Sequence, residues 1–96
     1  MTIQLHSLRF TVNRNVVSSL HDHGIVLLHI ANGCLFASNA TGARIWRGVE
    51  ERQPLEAIVN EISDEYEIDR PKALEHVECF LHELKQQKLI EPEMGS

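Results

Sequence analysis

The apolar residues of this chain change period once, near residue 39, and that change limits the fold more than any composition figure. Before it the spacing is that of strands. Residues 8–12 (Leu-Arg-Phe-Thr-Val) alternate apolar and polar, as a strand with one buried face requires. Asn13 to Asn15 reads as a turn, and Val16-Val17 as the start of a short extended piece. His21-Asp22-His23-Gly24 is a polar break. Ile25 to Ile30 is apolar on both faces apart from His29, the pattern of a central strand. Ala31-Asn32-Gly33 is a hairpin signal, because Asn and Gly tolerate positive φ, and Cys34 to Ser38 returns as the second arm.

Past residue 39 the spacing is helical. Asn39 or Thr41 can cap a helix through Ala43–Val49. Pro54 fits the first turn of a second helix, which carries Leu55, Ile58, Val59, Ile62 and Tyr66 on one stripe. Asp69 suits the cap of a third, with Pro71 in its first turn and Ala73, Leu74, Val77, Phe80, Leu81 and Leu84 along it. Leu89-Ile90 reads as a short extended end, and Met94-Gly95-Ser96 as a loose tail. The order predicts an α+β fold, a small three-stranded antiparallel sheet followed by three helices, similar to a winged helix-turn-helix. With 96 residues there is room for a single domain over 1–96, its core at about 8–91.

Charge narrows the partners. Fourteen Asp and Glu against nine Lys and Arg leave a formal net charge of −5. Neutralising phosphates needs clustered Lys and Arg, so nucleic acid is not the expected partner. The alternative for such a fold, a winged-helix DNA-binding regulator, also asks for a more basic third helix than Arg70, Lys72, Lys85 and Lys88 set against Glu75, Glu78 and Glu83. Residues 1–20 show no apolar stretch of signal-peptide type, and Ile25–Ile30 is far too short to span a bilayer. The expected location is the cytoplasm, with no membrane partner and with Cys34 and Cys79 as reduced thiols.

No residue set converges on catalysis. His21 and His23 can share a face of an extended chain, but zinc asks for three or four ligands and no others are near in sequence. His76 and His82 do not share a helical face. Each cysteine stands without a neighbouring Cys and the sequence gives no warrant for an activating base, and there is no nucleophile elbow or glycine-rich phosphate loop. Trp46 reads as a core anchor and His29 as a partly buried, hydrogen-bonded histidine. The expectation is therefore no catalytic residue, no metal and no cofactor.

One combination is more specific. Leu27-Leu28-His29, Asn32-Gly33, Leu35-Phe36, then Asn39-Ala40-Thr41-Gly42-Ala43-Arg44-Ile45-Trp46, Leu55-Glu56-Ala57-Ile58-Val59, Glu65-Tyr66-Glu67-Ile68-Asp69 and Val77-Glu78-Cys79-Phe80-Leu81 together resemble the PqqD family over about residues 10–91. Ser38 stands where that family often has Leu. The resemblance implies a RiPP recognition element, a peptide-binding chaperone without catalysis of its own. Such a module captures the leader of a ribosomally made precursor peptide and presents it to a modifying enzyme. In the founding case that partner is a radical SAM enzyme of pyrroloquinoline quinone biosynthesis; related modules serve other peptide-modifying enzymes. It implies a leader added as a strand along Cys34, Leu35, Phe36, Ala37 and Ser38, in a groove whose other wall is the third helix with Lys72, His76, Val77 and Phe80. Alternation separates Leu35 and Ala37 from Cys34, Phe36 and Ser38, and leaves open which set meets the helix. Exposed strands also make a homodimer a candidate state.

Overall fold

The computed structural model describes residues 8–21 and 23–93. The expected loose tail at 94–96 and Asp22 of the polar break lie outside the described residues. Eight elements follow in chain order: β1 (Phe10–Val12), β2 (Val16–His21), β3 (Gly24–His29), β4 (Cys34–Asn39), α1 (Ala40–Glu50), α2 (Leu55–Tyr66), α3 (Arg70–Gln86) and β5 (Ile90–Pro92).

The three-stranded antiparallel sheet has the order β2-β3-β4. Residues 10–12 are extended but pair with β5, placing Thr11 opposite Glu91. The third sheet strand is β2, which runs from Val16 well past the expected Val16-Val17 and pairs along its whole length with β3. The Asn13 side chain causes this handover. Its Oδ1 accepts from the Asn15 amide at 2.9 Å, and its carbonyl accepts from the Val16 amide at 3.0 Å, so the chain turns sharply between β1 and β2.

Asn39 both ends β4 and starts α1. Its backbone is extended, and its Oδ1 accepts from the Gly42 amide at 3.0 Å, filling one of the helix's orphan donors. The helix therefore begins at Ala40, one turn before the expected start, and Thr41 lies inside it. Pro54 takes the cap position of α2, just outside the helix. Asp69 occupies the cap of α3, although its side chain makes no capping bond.

A hydrophobic cluster is built from Phe10 of β1, Ile25 and Leu27 of β3, Ile45, Trp46 and Val49 of α1, the Leu55-Ile58-Val59-Ile62 stripe of α2, Ala73, Val77, Leu81 and Leu84 of α3, and Leu89-Ile90. The expected stripes of α2 and α3 face this cluster, except that Tyr66 ends exposed. Trp46 is fully buried, as a core anchor should be. Sheet edges contribute least: β2 offers only half-buried Val16, and β4 only half-buried Phe36. His29 is buried, with its Nε2 accepting from the side-chain Nδ2 of Asn13 at 3.3 Å. Arg44 ties α1 to α2 through Glu61 at 3.0 Å and Glu65 at 3.3 Å.

Candidate peptide-binding edge

The exposed backbone of β4 follows from ladder arithmetic. Facing residues of an antiparallel pair alternate between bonded and non-bonded positions. The Ile30 amide donates to the Asn15 carbonyl at 2.8 Å, in register with the β2–β3 pairing. On β3 the even positions therefore turn their polar groups toward β2, and Ile25, Leu27 and His29 turn theirs toward β4. Their partners there are Ser38, Phe36 and Cys34. The N–H and C=O groups of Leu35 and Ala37 are left pointing away from the sheet, since β4 is its last strand among the described residues.

The same register settles the side-chain question. Residues facing each other across strands share a face. Phe36 faces the buried Leu27, and Ser38 the buried Ile25, so both look toward the helices. Leu35 and Ala37 look outward. Opposite Phe36 stands Phe80 of α3, with ring centroids 5.9 Å apart and planes inclined at 61°, an edge-to-face contact. Both rings are half-buried. This pair joins strand to helix, while the β4 backbone itself packs on β3 and α1.

Gly42 shapes the floor of this region, and composition alone did not mark it. A Cβ there would lie 2.1 Å from Ser38 Oγ and 3.0 Å from Phe80 Cε1. Glycine lets the first turn of α1 approach strand and helix together. The visible signal is its place three residues after the cap Asn39, inside the Asn-x-Thr-Gly stretch.

The sequence-selected residues separate into groups. Leu35, Phe36, Ala37 and Ser38 line the edge, with Cys34 exposed at its start. Phe80 faces them. His76 and Lys72 stand four and eight residues before Phe80, one and two turns along α3, and both are exposed. Val77 is corrected: its exposure is 0%, so it offers no surface to an occupant and belongs to the core with Ala73, Leu81 and Leu84. Both cysteines are free and exposed. No group of three or more metal-ligating side chains occurs among the described residues. No helix among them is long and apolar enough to cross a membrane. An open cleft of about 730 Å³ lies elsewhere, bounded by Asn13, His29, Asn32, Lys85 and Lys88, and none of the edge residues lines it.

The family model of coenzyme PQQ synthesis protein D (PqqD) matches residues 24–90, from the first residue of β3 to the first of β5. The structure of TbiB1 in complex with the TbiA(beta) leader peptide is 36% identical to this chain. It covers 90% of this chain and 98% of its own, with a TM-score of 0.79. A lasso peptide synthetase B1 complexed with the leader peptide is 23% identical, covers 88% and 99%, and superposes with a TM-score of 0.80, so it shares the fold. No curated protein matches the chain.

Proposed function

The chain belongs to the PqqD family, and from that membership we propose that it is a non-catalytic peptide chaperone. It binds the leader of a ribosomally synthesised precursor and presents that precursor to a modifying enzyme, a radical SAM enzyme or another tailoring enzyme. The 36% identical relative solved with a leader peptide supports the ligand class. The observation that carries the reading is the open edge of β4: two residues whose backbone groups pair with no strand among the described residues, beside an aromatic pair that bridges to α3.

In this reading the leader adds antiparallel to β4. Its amides and carbonyls pair with those of Leu35 and Ala37, which is independent of leader sequence. Selectivity comes from side chains. The leader residue opposite Phe36 points toward the helices, so an apolar or aromatic side chain there packs on Phe36 and Phe80. Lys72 and His76 extend the helical wall with polar, hydrogen-bonding groups. The edge of β2 is a poorer site: the Ser18 hydroxyl donates to the Glu50 carboxylate of α1 at 3.5 Å, and no aromatic pair joins β2 to a helix among the described residues. The module works in the cytoplasm, beside the ribosome's product.

Titrating a fluorescently labelled leader, taken from a precursor encoded beside this chain, tests the function. Saturable binding at roughly micromolar to sub-micromolar concentration is expected, because ordering a flexible peptide offsets part of the contact energy. The absence of saturation up to about a hundred times that range, or turnover of the leader by the purified chain, contradicts it.

A further inference from the structure

The outer face of the sheet has no cover among the described residues and carries a row of large apolar side chains. Val17, Leu28 and Leu35 face one another across β2, β3 and β4. They are 51%, 37% and 70% exposed, and Ile30, 60% exposed, follows Leu28 on the same side of its strand. The remaining rows of this face are Ser19–Val26–Ala37 and His21–Gly24–Asn39. None of these residues is Asp, Glu, Lys or Arg, although those four types make up 24% of the chain. Isolated apolar side chains on a surface need no explanation, but an aligned and uncharged row does.

We propose that this face docks the modifying enzyme that receives the leader. The inference rests on the leader-binding reading above. Continuity between face and edge selects this occupant. Leu35 and Ala37 project onto the outer face, while their backbone groups form the edge that takes the leader. A leader strand added there sets an outward side chain beside Leu35 and lengthens the row to a fourth strand. An enzyme lying on the face then touches sheet and leader as one surface.

Area points the same way. Three strands about 4.8 Å apart and six residues long at about 3.4 Å each give a face of roughly 300 Å². A stable pair of copies buries about 800 Å² on each partner. The face is too small to hold two copies together permanently and suits a transient contact. An enzyme that also grips the rest of the precursor needs no more, because the tether supplies a high effective concentration. The face has no Lys or Arg to pair with the phosphates of acidic headgroups or nucleic acid, and its apolar row calls for an apolar protein surface.

The test uses the full chain with the leader and modifying enzyme encoded beside it. Val17→Lys and Leu28→Lys each place a charge in the row, and Val17 lies two strands away from the leader edge. The expected result is a Val17→Lys variant that binds the labelled leader within about twofold of the parent yet binds the enzyme about tenfold or more weakly. Leader should also tighten enzyme binding to the parent chain. Enzyme binding by both variants equal to that of the parent overturns the proposal. So does a parent that sediments as a dimer and is split by Val17→Lys, since the face then belongs to a second copy. A chain that binds the enzyme through Val17 but never binds the leader keeps this face and removes the leader reading instead.

Discussion

Replacing Ala37 with proline is expected to weaken leader binding about tenfold or more while the fold persists. The Ala37 amide points away from the β3–β4 ladder, so proline removes no bond from the folded chain. It does remove a donor that an added strand requires, and its ring occupies the space where the leader backbone would approach. A backbone hydrogen bond contributes a net of about 0.5–1.5 kcal/mol, and the steric term adds to it; about 1.4 kcal/mol is tenfold in affinity. Phe36→Pro is the contrast. The Phe36 amide lies on the side of β4 that faces Leu27, so that change opens the sheet and should lower thermal stability before any leader is added. Circular dichroism separates the two cases. An Ala37→Pro variant that is folded and binds the leader like the parent contradicts strand addition at this edge.

Adding one methyl group at Gly24 is expected to be the most damaging small change to the sheet. A Cβ there would sit 2.1 Å from the Ser38 carbonyl oxygen and 3.2 Å from its carbon. Those are backbone atoms of the neighbouring strand and cannot rotate aside. Gly24 pairs with Asn39, the residue that caps α1, so the clash falls where β4 passes into the helix. Overpacking of this kind costs about 2 kcal/mol, or about 10 °C in Tm for a domain of this size. Gly33 is the control. It has φ of 72° and no atom within 4 Å of a built Cβ, so its demand is conformational alone. Asn tolerates that region, and Gly33→Asn should shift Tm by only a few degrees, roughly half a kcal/mol. Equal melting of Gly24→Ala and the parent would show that β3 and β4 are not held at this distance.

The switch from strands to helices was legible because a single residue performs it. Asn39 is a poor strand former and a good cap, and the structure uses it as one. The helical stripes were legible because each helix buries one side. Pairing across the chain was not. Alternation at residues 8–12 shows a strand but not its partner, and β5 lies some 80 residues away. Ser18 and Ser19 have little strand propensity, so β2 looked shorter than it is; pairing with β3 overrides that preference. Val77 shows how finely a helix divides its roles. It lies three residues from Phe80, about 60° around the axis, enough to take it from the open flank into the core. The facing of β4 was undecidable locally, since Leu35 and Phe36 are both apolar and adjacent; the contact with Phe80 decides it.

Amide hydrogen exchange, read residue by residue with and without the leader, measures strand addition most directly. The ladder leaves the Leu35 and Ala37 amides free and engages those of Phe36 and Ser38. Leader binding should therefore slow exchange at Leu35 and Ala37 strongly and change Phe36 and Ser38 little. Unaltered exchange at Leu35 and Ala37 in a saturated complex, or new protection at Ser18 and Leu20 on the free edge of β2, would contradict the account.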